Sequence, residues 1–373
     1  MMTNKKRNAS FPLAALLLVA AVVLVALFSL QPVEQEKTQS SANLAVAQQF
    51  QTELENQFTN MVSGEASEGK VYQISPTAQA APVPDPARYG EAESPAELEW
   101  LIKEAESILD GQELFFSTET QIMKGTTIHY YLDDTILAIT WKQPFENAAF
   151  TFSEVKVLHP SQFRRHLSGG EFNSGTLSKT TEMSQSVNAV VACNGDFYSY
   201  RRQGIVVTNG TVHKFVRGVK DLCFIDENGD LILERGLTFE NVEEAQAYVD
   251  EHNINFSIAF GPILVQDGEN VCPNGYGLGE IMTGYPRAAL CQMDKLHYLF
   301  AVSNMESPHY NNLIMREFAK VIHSTGCQKA YAVDGGQTAT VVMNNQLINR
   351  VNYGSERLIS DIIYFATAKP MGE

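Results

Sequence analysis

Four dipeptides set the scale on which this chain can fold. Asn209-Gly210, Asn228-Gly229, Asp267-Gly268 and Asn344-Asn345 each stand between two short runs rich in β-branched and aromatic residues. Asn, Asp and Gly tolerate the left-handed backbone of a two-residue turn, so each pair predicts two antiparallel strands joined tightly. The strand-like runs, among them "TILAITW", "FTFSEVKVLH", "NAVVAC" and "GIVVTNGTVHKF", begin after Thr126. Two helical patterns interrupt them. One covers about 242–252, with Asn241 and Glu244 as a capping pair, and the other about 313–325, stopped by Gly326. The regular βα alternation of a doubly wound sheet is missing. The pattern predicts an α+β domain over 126–369, a mixed, largely antiparallel β-sheet with a few packed helices.

Upstream, the texture is different. Phe11 to Leu30 is a 20-residue run without a charge, the length a spanning helix needs, and Lys5, Lys6 and Arg7 precede it. The basic cluster places residues 1–10 in the cytoplasm and everything after the span outside. The run is long for a cleaved signal peptide and no clear A-x-A site follows, so 11–30 reads as an uncleaved signal-anchor, a single transmembrane helix. Residues 31–93 are polar and end in the Pro-rich "PVPDPARYG", which predicts a stalk and linker. Residues 94–125 form a helical lead-in. Ser94, Pro95 and Glu97 give start signals, Leu98, Leu101, Ile102, Ile108 and Leu109 share one face, and Gly111 closes it. This helix either packs on the main domain or prolongs the stalk.

The net charge is −16, and the segment 31–120 alone holds 16 acidic against 4 basic side chains. Nucleic acid is excluded as a partner on that ground, since its phosphate backbone requires a basic face. The five cysteines, Cys193, Cys223, Cys272, Cys291 and Cys327, lack any C-x-x-C spacing, which argues against a zinc site. Their odd number leaves at least one thiol unpaired within a monomer, and one disulfide at a pairing the sequence does not choose is open.

Four stretches deliver polar residues and glycine at the end of an apolar strand: "VVACNGDFYSY", "FGPILVQDG", "YPRAAL" and "VDGGQT". Two of them carry carboxylates, Asp196 and Asp334, beside glycines that allow close backbone approach. A third places Arg287 in an apolar run, where a guanidinium seeks an anion. Each has a plain structural alternative. Asn194-Gly195 is a turn, Arg287 pairs with Asp294 or Glu280, Asp334 caps the Gly335-Gly336 turn, Tyr198 and Tyr200 pack, and Arg357 and His309 lie on the surface.

In combination, these residues resemble the phosphodiester glycosidase family, over roughly Glu154–Ala366. Asn194-Gly195-Asp196-Phe197-Tyr198 resembles the family's Asn-Gly-x-aromatic-aromatic motif, and Gly261-Pro262 with Leu264 its Gly-Pro-x-Leu element. Pro286-Arg287 with Ala289 is similar to its Arg-Thr-Ala motif, Asp334-Gly335-Gly336 with Thr338 to its Asp-Gly-Gly-Gly-Ser motif, and Arg357 with Ser360 to a C-terminal Arg-x-x-Ser element. The chain departs from the pattern at Gln337 and Thr338, at Ala288 and at Cys291.

The resemblance implies a hydrolase that breaks the bond between a sugar C1 and a phosphodiester oxygen. The leaving phosphate monoester is a weak base, so a strong general acid is less necessary than in other glycosidases. A cation for the phosphate and a carboxylate facing the anomeric carbon are needed. Arg287 takes the phosphate on this expectation. Asp334 is nucleophile or general base, with Asp196 as second choice. Asn194, Gly195, Gly335, Gly336, Thr338, Tyr198 and Arg357 bind substrate. No cofactor is required, although an acidic site also suits Ca²⁺ or Mg²⁺. The expected partner is a glycosyl phosphodiester or a cell-surface glycopolymer, met by an extracellular domain on a single-pass membrane anchor. Two alternatives stand beside it: a metal-dependent phosphodiesterase using Asp196, Asp334 and Asp267, and a non-catalytic surface carbohydrate-binding module. Oligomeric state is left open.

Overall fold

In the central strands, successive side chains go to two different cores. The computed structural model describes residues 73–368, apart from 197, 202, 219–220, 278–279, 305 and 307–309. The chain divides into Met1–Gly69 and Lys70–Glu373, and the described residues belong to the second unit. The expected transmembrane segment 11–30, most of the stalk and His309 lie outside the described residues. Among the described residues no helix is long and apolar enough to cross a membrane.

In chain order the strands are β1 (Tyr89–Ala92), β2 (Ile128–Leu132), β3 (Ile136–Phe145), β4 (Ala148–Val157), β5 (Phe163–Leu167), β6 (Val191–Asn194), β7 (Gly204–Thr208), β8 (Thr211–Val216), β9 (Asp221–Asp226), β10 (Leu231–Arg235), β11 (Ile254–Ile258), β12 (Ile263–Gln266), β13 (Glu269–Asn270), β14 (Arg287–Asp294), β15 (His297–Asn304), β16 (Lys329–Val333), β17 (Val341–Met343), β18 (Gln346–Leu347) and β19 (Asp361–Phe365). The helices are α1 (Glu99–Glu104), α2 (Glu106–Leu109), α3 (Thr180–Ser186), α4 (Val242–Glu251) and α5 (Met315–Ser324).

A nine-stranded sheet runs β1-β2-β3-β4-β15-β14-β16-β12-β13. A five-stranded sheet, β18-β17-β6-β19-β5, and a three-stranded sheet, β10-β9-β11, accompany it, with β7 and β8 as a separate hairpin. Every strand pair among the described residues is antiparallel. All four turn dipeptides join the strands they were expected to join, at β7–β8, β9–β10, β12–β13 and β17–β18.

The central strands are apolar on both faces, and the two-residue period sorts them. Ala289 and Cys291 of β14, Leu299 and Ala301 of β15 and Ala330 and Ala332 of β16 face a core shared with α1, α2 and α5. Their neighbours Ala288, Leu290, Phe300, Val302, Tyr331 and Val333 face the five- and three-stranded sheets. The central sheet therefore lies between helices and a second β layer. All five cysteines are free thiols.

The lead-in helix packs on the domain. Leu98, Leu101, Ala105, Ile108 and Leu109 are buried in the helix-side core. It is interrupted at Ala105 and ends on Asp110 and Gly111, both with positive φ. The expected linker gives way well before residue 93. Ile74 and Ala81 are buried against α3 and β19, and β1 pairs with β2 at the edge of the main sheet. Isolated apolar residues in a polar segment carry no periodic signal. Here they are held by Arg164, whose guanidinium donates to the carbonyls of Ser75 and Ala78.

Candidate functional site

Two strands from different sheets, β6 and β16, end side by side, and the chain after each carries a carboxylate. The Asn194 amide nitrogen donates to the Asp334 carbonyl at 2.6 Å, and its oxygen accepts from the Thr340 amide at 3.1 Å. The Asp334 N–H donates to the Gly195 carbonyl at 3.2 Å. Asn194 is 1 % exposed, so it stitches the two strand ends together and does not face a ligand. Thr338 acts similarly within its own turn, its hydroxyl donating to the Gly335 carbonyl at 2.7 Å.

The glycines serve the chain itself. A side chain at Gly335 would lie 2.6 Å from the Pro286 carbonyl oxygen, and one at Gly195 would lie 2.6 Å from the Asp361 carboxylate. Gly336 has φ +69° and donates its amide to the Pro286 carbonyl at 2.8 Å. The Gly335 amide donates to Asp334 Oδ1 at 2.9 Å. The expectation that these residues offer room or N–H groups to substrate is corrected: their room and donors are used inside the protein, where two strands must approach more closely than a Cβ allows.

Asp334 stays partly exposed, yet protein packs densely enough around it that burial pushes its carboxyl up to about 6. The nearby Thr338 hydroxyl, whose proton alternates between the Gly335 carbonyl and this carboxylate, the Gly335 N–H and the charges of Arg357 and Arg201 pull the other way without cancelling the burial. Gln337, the residue in place of a family glycine, donates to the Ser355 carbonyl at 3.0 Å and so ties this turn to the loop bearing Arg357.

Asp196 lies in a buried ionic cluster. Its Oδ2 accepts from the Ala259 N–H at 2.9 Å, and it faces Arg165 at 4.0 Å and Arg201 at 3.9 Å. Arg165 reaches across from β5 to Asp361 Oδ2 at 2.6 Å and to the Ser257 carbonyl. Burial, reinforced by Asp196, raises the Asp361 carboxyl against the pull of Arg165. The Arg201 guanidinium lies 4.5 Å from the Phe260 ring centre, and that of Arg357 lies 5.3 Å from the ring of Tyr200, which is 51 % exposed. Two arginine–aromatic pairs thus stand within electrostatic reach of Asp334.

Other expected residues fall elsewhere. Arg287 is the register neighbour of Asp334 on the adjoining strand, but its guanidinium donates to the carbonyls of Leu313 at 3.3 Å, Glu280 at 2.8 Å and Thr283 at 2.5 Å. It is 6 % exposed and anchors the 280–285 and 313 loops instead of presenting itself to an anion. Neither Asp294 nor Glu280 is its ion-pair partner among the described residues; the carbonyl oxygens satisfy it. Tyr198 is 6 % exposed and packs beside Phe172 and Arg165, so Tyr200 is the ring open to a sugar. Asp267 lies in the β12–β13 turn, near the start of β16, while Asp334 follows its end. The three carboxylates of the metal alternative are therefore not assembled, and no cluster of three metal-ligating side chains occurs among the described residues.

Sequence reasoning missed Arg165, Arg201 and Asp361. A signal for Arg165 was present: Phe163, Arg165 and Leu167 share the inward parity of β5, so a cation stands on a core-facing position. Arg201 directly follows "NGDFYSY", and Asp361 follows Ser360. A cleft of about 670 Å³ is lined by Arg164, Arg165, His166, Phe172 and His213 and includes neither Asp334 nor Arg287. A smaller one of about 350 Å³ reaches Tyr198 and Ser199. The carboxylates at the β6 and β16 strand ends lie outside both clefts.

Residues 187–366 match the sequence model of the phosphodiester glycosidase family. No curated protein matches the sequence. The fold is similar to the catalytic domain of zebrafish N-acetylglucosamine-1-phosphodiester α-N-acetylglucosaminidase, described as auto-inhibited by its pro-peptide. That similarity has a TM-score of 0.51 at 14% identity and covers 70% of this chain and 92% of that one. A hypothetical protein from Synechocystis is also similar, with a TM-score of 0.46 at 12% identity, covering 65% of this chain and 64% of that one. Across residues 187–366, then, this chain carries a domain similar to the phosphodiester glycosidase family.

Proposed function

We propose that this protein hydrolyses the sugar C1–O bond of glycosyl-1-phosphodiesters, with Asp334 as the acting carboxylate. One observation carries it: a partly exposed carboxyl pushed up to about 6 sits at a junction of two strand ends, flanked by two arginines paired with aromatic rings. In the reaction a water oxygen bonds to C1, the C1–O bond breaks, and its electrons leave with the phosphate monoester. Asp334 either attacks C1 first or takes the water's proton, and a carboxyl titrating near 6 is ionised for both roles at neutral pH. Asp196 holds Arg165 and Arg201 in place.

The substrate class that suits this chain is a sugar-phosphate linkage of the GlcNAc type or of a wall or capsular polymer. Support for that comes from the 20-residue uncharged run behind Lys5, Lys6 and Arg7, a pattern that suits an extracellular domain on a membrane anchor.

The test is direct. Full-length protein is incubated with UDP-GlcNAc and with an alkyl phosphodiester of GlcNAc, with and without EDTA, and the products are followed by NMR. Free sugar with an intact phosphate monoester, lost in Asp334→Asn and unaffected by EDTA, is expected. Sugar-1-phosphate as product, or activity abolished by EDTA, would replace glycosidase chemistry with metal-dependent phosphodiester cleavage.

A further inference from the structure

Buried polar atoms without hydrogen-bond partners are not scattered evenly through this protein. Of the eight such side-chain atoms among the described residues, four belong to one cluster: Nε and one terminal nitrogen of Arg201, one terminal nitrogen of Arg165 and Oδ1 of Asp361. Native interiors leave few such groups, and a concentration of them marks a place whose polar partner comes from outside the chain.

Arg201 is the exceptional member. Its side chain is 6 % exposed, and among the described residues the guanidinium makes one hydrogen bond, a long one of 3.4 Å to the Phe260 carbonyl. The Phe260 ring lies 4.5 Å from its guanidinium carbon, and Nε and one terminal nitrogen are enclosed with donors to spare. Asp196 Oδ1 is 3.9 Å away, too far for a hydrogen bond, so it offsets part of the charge without occupying the donors. The other buried arginines are engaged: Arg287 by three carbonyls, Arg165 by Asp361 and the Ser257 carbonyl.

We propose that Arg201 is the cation that grips the phosphate group of the substrate, through its Nε and terminal N–H edge, and that Arg357 closes on the same phosphate from the opposite loop. The assignment rests on the phosphodiester reading of the site and moves the phosphate from Arg287 to a residue outside the family-like motifs. A planar fork suits two phosphate oxygens at once, and Asp334, within electrostatic reach of Arg201, then serves the C1 end of the bond to be broken.

The experiment uses inorganic phosphate as the probe, titrated into full-length protein by calorimetry, with turnover of the GlcNAc phosphodiester measured in parallel. Saturable phosphate binding by the wild type is expected. Arg201→Gln is expected to weaken it about 10–100-fold, the loss of a pair of charged hydrogen bonds, and Arg357→Gln to weaken it less. Arg217→Gln, an exposed residue paired with Glu240, serves as control and leaves the affinity unchanged. Should Arg201→Gln fold poorly, Arg201→Lys keeps the charge and removes the fork, and it too must bind phosphate more weakly. Wild-type affinity in either folded variant overturns the assignment, as does a wild type that binds no phosphate while turning over the phosphodiester. Phosphate binding that depends on Arg201 in a protein without turnover upholds it and counts against the glycosidase reaction alone.

Discussion

Replacing Asp334 by Asn is expected to stabilise the protein while removing its activity. The carboxyl is raised from 3.8 to about 6 because burial penalises its charged form. The folded state therefore holds this proton more tightly than the unfolded chain does. The wild type loses stability as pH rises from about 4 to about 6, and the loss is complete above that. A shift of about 2 units corresponds to about 3 kcal/mol, at ~1.4 kcal/mol per unit, as an upper figure for a partly exposed group. Asn keeps the side-chain oxygen that accepts from the Gly335 N–H at 2.9 Å and carries no charge. The unfolding free energy of Asp334→Asn minus that of the wild type should thus grow by up to about 3 kcal/mol between pH 4 and pH 8. The raised carboxyl of Asp361 is common to both proteins and cancels. Urea titrations at the two pH values measure the difference. A gap that is constant with pH, or that closes as pH rises, would refute the claim that burial dominates at Asp334.

The same carboxyl shapes the rate. If its ionised form acts, kcat/KM should fall about tenfold per pH unit below about 6 and level off above, and a flat profile between pH 5 and 7 would exclude Asp334 as nucleophile or base. Gly335→Ala places a methyl 2.6 Å from the Pro286 carbonyl and is expected to part β14 from the Asp334 turn, costing about 1–3 kcal/mol and most of the activity; retention of both would show that the turn relaxes freely. Asn194→Ala leaves the Asp334 carbonyl and the Thr340 amide without their partner, which is expected to cost about 2–4 kcal/mol in urea unfolding, and a loss under 1 kcal/mol would remove its role as the stitch between strands.

How far the sequence could be read followed from whether the signal was local. The hairpins were legible because an Asn-Gly pair requires its turn conformation whatever surrounds it, and β7–β8, β9–β10, β12–β13 and β17–β18 form where they were expected. The strand-end motifs were legible for the same reason, and they do bring Asn194, Asp196 and Asp334 together. Direction was not legible. Arg287 is placed beside Asp334 by strand register, yet its long side chain turns to the carbonyls of Glu280, Thr283 and Leu313, which lie on loops no periodicity predicts. The role of the glycines was inverted for a related reason: sequence shows where a side chain is forbidden, but not whether protein or ligand forbids it. Arg165 and Asp361 meet only through the β5–β19 pairing, two strands almost 200 residues apart in the chain.

The two carboxylates that looked interchangeable in sequence have different work because their surroundings differ. Asp196 accepts from a backbone amide and faces two guanidinium groups, with 3 % of its surface exposed; a group so enclosed orients cations and cannot meet an anomeric carbon without dismantling its own partners. Asp334 makes a short bond to the amide next to it and keeps part of its surface open. Enclosure also holds Arg201 in place. Phe260 packs on it at 4.5 Å and Asp196 stands 3.9 Å away, outside hydrogen-bond range, whereas Arg165 bonds directly to Asp361. An anion that arrives there meets donors already aligned, and the ordering cost of gripping it has been met in folding. The β6 and β16 strand ends, stitched by Asn194, keep the carboxyl at Asp334 within electrostatic reach of Arg201.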